Sequence, residues 1–274
     1  VRPHRYVPGV RPEKERHMQP IQLFDPASST YTYVIFDETT REAIIIDPVD
    51  EQLERDLATL RQYGLKLMWT IETHAHADHI TSAGQLAELA GAKTAAPAAC
   101  DIDTAAVQLK DGDTLNFGGE QIRALHTPGH TAGSMCFVWR DHVFTGDTLL
   151  INGCGRTDFQ SGSAKAMYHS LTEVLFKLPE ATTVWPGHDY QGQSRSSIGA
   201  EKAGNARVAG KTLEEFVAIM DALHLPPPSV LPRRCRPTCM AACAMTRTQP
   251  TACKWWRPTV TPATSAVRWP GAGC

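Results

Sequence analysis

No apolar run in this chain of 274 residues approaches the roughly 18 needed for a membrane-crossing helix, so neither a span nor a membrane partner is expected. There is no Gly-rich phosphate loop: Gly118-Gly119 is flanked by β-like runs and reads as a hairpin turn. No Ser-His-Asp nucleophile stands out either. Cysteine is scarce where a core would form. Residues 18–225 contain only Cys100, Cys136 and Cys154, which argues against a disulfide-built fold and for an intracellular protein. That same stretch holds 15 basic and 27 acidic residues, a net charge of −12. An overall field of that sign attracts no nucleic acid, and it does not steer an anionic thiol, so local basic groups would have to.

Against these absences stands Thr73-His74-Ala75-His76-Ala77-Asp78-His79, three imidazoles and a carboxylate directly after the apolar run Leu65–Ile71. Imidazole nitrogen and carboxylate oxygen are the donors that zinc, iron and manganese share, and a tight loop after a buried strand can aim several at one point. Three later segments each place another such donor at the end of a β-like run: His130 in Thr127-Pro128-Gly129-His130, Asp147 in Phe144-Thr145-Gly146-Asp147, and His188 in Val184-Trp185-Pro186-Gly187-His188. Their Pro and Gly mark turns where a strand stops. Seven candidate ligands thus come from four separated loops. By ligand chemistry alone, that number suggests a binuclear zinc hydrolase.

Between these segments, apolar spacing predicts strands at Tyr31–Phe36, Glu42–Asp47 and Leu65–Thr73, with a helix carrying Leu53, Leu57 and Leu60 and closed by Gly64. A second helix is expected from Ser82 to Ala90, stopped by Gly91. Paired β-runs follow at Thr114–Phe117, Gln121–Thr127, Ser134–Arg140 and His142–Thr145. Met167, Leu171, Val174, Leu175 and Leu178 give one further helical face, and Thr212-x-x-Glu215 is a capping box ahead of Phe216, Val217, Met220 and Leu223.

The order of these motifs, from about Met18 to Leu225, resembles the metallo-β-lactamase superfamily. The resemblance implies an α/β fold, a single-domain αββα sandwich with an atypical C-terminal tail, whose metal loops cluster on one edge. Gly153-Cys154-Gly155-Arg156-Thr157-Asp158-Phe159-Gln160, following Gly146-Asp147-Thr148-Leu149-Leu150, is similar to the persulfide dioxygenase (sulfur dioxygenase) family within it. The related glyoxalase II thioesterases continue a similar opening with two aromatic residues and a Glu.

The family resemblance implies one iron(II) per chain on His74, His130 and Asp147, which are then the catalytic residues. Two imidazoles and one carboxylate leave positions open for substrate and dioxygen. His76, Asp78, His79 and His188 are expected to hydrogen-bond those ligands or to act as further ligands, while Arg156 and Tyr190 are expected to bind substrate. The implied reaction takes glutathione persulfide, dioxygen and water to glutathione and sulfite, with glutathione as carrier of the sulfur and a homodimer compatible with it. A glutathione-thioester hydrolase and a non-catalytic metal- or sulfur-binding protein are the competing classes.

Both ends differ from the middle. Residues 1–17 hold five basic and two acidic residues and read as a disordered leader, with Met18 as the natural start. Glu13 and Glu15 speak against a mitochondrial presequence, so a bacterial-type cytoplasm is expected rather than the mitochondrial matrix. Residues 226–274 hold five Cys, nine Pro, three Trp, seven basic and no acidic residues, without sustained periodicity. Cys235-x3-Cys239-x3-Cys243 lacks the paired C-x2-C knuckles of a zinc module. The tail is therefore expected not to be a domain, its composition being that of translation out of the original reading frame.

Overall fold

Ala43, Ile44, Ile45 and Ile46 are apolar in succession, which suits a strand covered on both faces. In the computed structural model, which describes residues 18–158 and 161–223, these four residues are fully buried in the strand Glu42–Ile46 (β3). Side chains alternate across a strand. Ile44 and Ile46 accordingly face one cluster with Tyr33, Ile35, Phe137 and Trp139, while Ala43 and Ile45 face another with Leu60 and Leu86.

β3 belongs to a six-stranded sheet built with Ile21–Asp25 (β1), Thr30–Phe36 (β2), Lys66–Ile71 (β4), Lys93–Pro97 (β5) and Val107–Leu109 (β6), in sequential order. β1, β2 and β3 pair antiparallel, and β3 to β6 run parallel. Parallel pairs need crossovers, and the helices Leu53–Gln62 (α1) and Ala83–Ala90 (α2) supply two of them. Gly91 closes α2 in the left-handed region at φ 68°, where a Cβ would be strained.

A second six-stranded sheet follows: Thr114–Phe117 (β7), Glu120–His126 (β8), Met135–Trp139 (β9), His142–Gly146 (β10), Thr183–Pro186 (β11) and Ser196–Ser197 (β12), again in sequential spatial order. Its inner face packs on the first sheet through Phe117, Phe137, Trp139, Phe144 and Trp185. Its outer face carries Cys136, Val143 and Val184 against Met167, Leu171, Leu175, Phe216 and Met220. Those last five come from the helix Ala164–His169 (α3), the turns after it, and the helix Leu213–Asp221 (α5), with Ile198–Gly204 (α4) between them in sequence. The layers are helix, sheet, sheet, helix. Among the described residues no helix is long and apolar enough to cross a membrane.

Two expectations are refined. The single helical face from Met167 to Leu178 becomes three pieces: α3, a widened turn at Ser170–Val174 and a tight one at Leu175–Lys177. Thr172 Oγ1 donates to the Tyr168 carbonyl four residues back at 2.8 Å, a bond that competes with the helical ladder, while Ser170 Oγ donates out of the helix to the Pro128 carbonyl at 2.7 Å. β1, β5, β6 and β12, all weakly patterned, were not expected. The capping box forms as read, with Thr212 Oγ1 accepting from the Glu215 N–H and Glu215 from the Thr212 N–H. Residues 1–17 and 224–274, which carry the leader and tail readings, lie outside the described residues.

Candidate metal centre

Where β3 and β4 end side by side, each is followed by a buried polar residue. Asp47, at φ 50°, follows β3; Glu72 and Thr73 follow β4. Asp47 accepts the Thr73 backbone N–H on Oδ1 and the Thr73 hydroxyl on Oδ2, both at 2.7 Å. Those bonds fix the start of the loop 74–79. From the second sheet, Met135 N–H donates to the Thr73 carbonyl at 2.8 Å, and Gly146, at φ 46°, packs so closely on the Thr73 side chain that a Cβ there would overlap it. The ends of β4 and β10 are thereby brought together. That juxtaposition sets the loop 74–79 beside Asp147.

His74, His130 and Asp147 meet at this edge, each offering a ligand atom within 4.8 Å of the others. Both imidazoles are buried, and Asp147 is partly so. His130 Nδ1 lies 2.8 Å from the Arg156 carbonyl. A carbonyl only accepts, so Nδ1 carries a proton, and Nε2 faces Asp147 Oδ2, 3.6 Å away. Burial, with the neighbouring His76 and His130, pushes the His74 pKa well below its ordinary value, keeping it neutral as a metal ligand must be. Gly155 permits this arrangement: a Cβ would overlap the Asp147 carbonyl and crowd His130 Nδ1.

The other four predicted ligands surround this group. His188 Nε2 is 3.4 Å from Asp147 Oδ1 and 3.6 Å from Asp78 Oδ2, with Nδ1 donating to the Ser29 carbonyl at 3.1 Å. Asp78 Oδ2 also lies 3.0 Å from His79 Nδ1 and accepts from Thr30 Oγ1 at 3.2 Å. Burial opposes the Asp78 charge, but the bond from His79 and the charge of His188 outweigh it and hold its pKa well below the usual range. His76 turns away, its Nε2 lying 3.0 Å from Glu72 Oε2 and 3.3 Å from Asp47 Oδ1. Burial disfavours an imidazolium there, but the two carboxylates outweigh it and hold His76 well above its ordinary pKa.

Asp47 and Glu72 were not singled out in the sequence. With His76 they form a second compact buried group, and the only signal was an acidic residue just past each of two apolar runs. Arg156, expected to bind substrate, is placed beside His130 with an acidic partner of its own. Its guanidinium holds Asp158 with Nε–Oδ1 and Nη2–Oδ2 both at 2.7 Å, and its carbonyl is what reaches the centre. Tyr190 is 73% exposed and stacks on His188 with rings 6.0 Å apart and 6° from parallel, at the rim.

The donors fit a metal ion. Asp147 Oδ1 is buried with no hydrogen-bond partner, as are His76 Nδ1 and His79 Nε2, and an unpaired buried carboxylate oxygen is costly unless a cation satisfies it. Residues 25–100 and 97–188 match the profile of the metallo-β-lactamase superfamily. The human mitochondrial persulfide dioxygenase ETHE1 is 44% identical over 209 residues, covering 76% of this chain and 82% of the relative. The chain belongs to the persulfide dioxygenase family of the metallo-β-lactamase superfamily. The crystal structure of ETHE1 from Myxococcus xanthus, at 50% identity, superposes with a TM-score of 0.74 and covers 78% of this chain and 95% of that one. TTHA1623, solved in a di-iron-bound form, is 29% identical with a TM-score of 0.56, covering 69% of this chain and 98% of its own. Proteins of the superfamily bind metal, and this chain gathers its seven ligand-type residues at one edge of the sandwich.

Proposed function

We propose that the chain oxidises glutathione persulfide with dioxygen and water to glutathione and sulfite, using one iron(II) held by His74, His130 and Asp147. The observation that carries this reading is the donor set: two buried imidazoles and one carboxylate within 4.8 Å, the last with a buried oxygen that accepts no hydrogen bond. Such a centre, when loaded, would supply electron exchange between a persulfide sulfur and dioxygen. Four electrons leave the terminal sulfur and four reduce dioxygen, so the equation closes with water as the third oxygen source.

The rest is done by the protein's own residues. His130 is oriented by the Arg156 carbonyl and His74 by Thr73. His188, whose Nε2 lies 3.4 Å from Asp147 and 3.6 Å from Asp78, and Asp78, hydrogen-bonded to His79, line this side of Asp147 and can orient water and exchange protons as thiol and sulfite form. Tyr190, exposed and stacked on His188, and Arg156, paired with Asp158 and reaching His130 through its carbonyl, are the residues assigned to admitting glutathione. Replacing His74, His130 or Asp147 with Ala should abolish iron binding and oxygen uptake together. A variant that binds no iron yet consumes oxygen at the wild-type rate would refute the assignment.

A two-metal hydrolase of glutathione thioesters is the competing reading. It is favoured by the unpaired His76 Nδ1 and His79 Nε2 and by the ligand atoms of His76, Asp78 and His79, which also lie within 4.8 Å of one another. Against it, the ionised Asp78 is already committed to His79 and Thr30, and His76 is drawn toward Asp47 and Glu72.

A further inference from the structure

Thr73 uses every polar group it has. Its N–H and hydroxyl donate to the two oxygens of Asp47, and its carbonyl accepts from Met135. The hydroxyl also lies 2.8 Å from His74 Nδ1. A hydroxyl has one proton. Asp47 Oδ2, 2.7 Å away, is a carboxylate oxygen with none to offer, so the Thr73 proton points there and the lone pair faces His74. Nδ1 of His74 must therefore be the protonated nitrogen. We infer that Thr73 is a positioning residue for the metal centre: through the relay Asp47–Thr73–His74 it fixes the Nδ1–H tautomer of His74 and aims the bare Nε2 at the position shared with His130 and Asp147.

This rests on the metal reading above and deepens it. His74 and His130 end up in the same tautomer by different means. A backbone carbonyl sets His130, whereas a side-chain hydroxyl, itself polarised by a buried carboxylate, sets His74. Hydrogen bonds of this kind orient a ligating imidazole and raise its basicity, and losing one typically weakens metal binding about 10- to 100-fold. The Thr73 side chain is buried at 1% exposure, against Gly146 of the second sheet, so it has no room to rotate its hydroxyl elsewhere. The same contact ties the aim of His74 to the strand end that delivers Asp147.

Thr73→Val keeps the shape and removes the relay; Thr73→Ser keeps the hydroxyl and removes only a methyl. The first readout needs no metal: nitrogen-correlated NMR of the ¹⁵N-histidine-labelled metal-free protein, in which His74, assigned by its loss in His74→Ala, should show the Nδ1–H tautomer in wild type and in Thr73→Ser. It should become mixed in Thr73→Val. The second is competition for iron(II) or cobalt(II) against a chromogenic chelator, where Thr73→Val should bind about 10- to 100-fold more weakly and Thr73→Ser within a few-fold of wild type. A wild-type His74 protonated on Nε2 would overturn the relay. So would Thr73→Val with unchanged affinity, or Thr73→Ser as impaired as Thr73→Val, which would make the role one of packing. Should Thr73→Val not fold, the wild-type tautomer and the Ser variant still decide. Wild-type protein that binds no metal would instead defeat the functional reading and leave the tautomer result standing.

Discussion

A carbonyl and a guanidinium of the same residue do different work at this centre. The Arg156 carbonyl orients His130, while its guanidinium forks onto Asp158, so the side chain holds the loop whose backbone does the orienting. Lys cannot copy a two-bond fork. Arg156→Lys and Asp158→Asn should therefore show the same phenotype, a fall in iron occupancy and kcat with little change in KM for glutathione persulfide. A raised KM in Arg156→Lys alone, with Asp158→Asn silent and iron content intact, would make the guanidinium a substrate contact instead. The seven ligand-type residues were legible because their chemistry is concentrated in one heptapeptide and three Pro/Gly turns. Asp47, Glu72 and the relay through Thr73 were not, since an acid after an apolar run acquires meaning only once β3 and β4 lie side by side.

At the scale of elements, strands with strong alternation or fully apolar cores, such as β2, β3, β9 and β10, could be read directly. β5 could not. Lys93-Thr94-Ala95-Ala96-Pro97 has weak β-formers and no period, and it becomes a strand because the α2 crossover lays it parallel to β4. β10 carries a different feature, the buried His142. Its Nε2 donates to the Met18 carbonyl at 2.8 Å, and its Nδ1 accepts from Trp185 Nε1 of β11 at 3.2 Å. A protonated ring would set two N–H groups against each other at Trp185. Burial, with nearby Arg140 and Arg195, pushes this histidine below its ordinary pKa, although the Met18 carbonyl and Asp141 oppose the shift. The unfolded state thus binds the proton more readily, and stability contributed by His142 is fully present above its unfolded pKa and lost as pH falls toward the folded one. Denaturant midpoints measured between about pH 7.5 and pH 5.5 should fall more steeply for wild type than for His142→Phe. Parallel slopes would show that another group carries the dependence.

For the whole molecule, the two sheets bring four loops to one edge, and the functional reading depends on that edge alone. Residues 226–274 contain no periodic apolar face to bury. Removing residues 229–274 should leave iron content and turnover within a few-fold of the full chain, and a collapse of solubility or melting temperature would show that the segment packs on the sandwich. The measurement that bears most directly on the central claim is metal analysis of anaerobically reconstituted protein coupled to oxygen uptake. The account predicts about one iron per chain, with one dioxygen consumed and one sulfite formed per glutathione persulfide and no hydrolysis of lactoylglutathione. Two metals per chain, both required, together with thioester hydrolysis and no oxygen consumption, would contradict it.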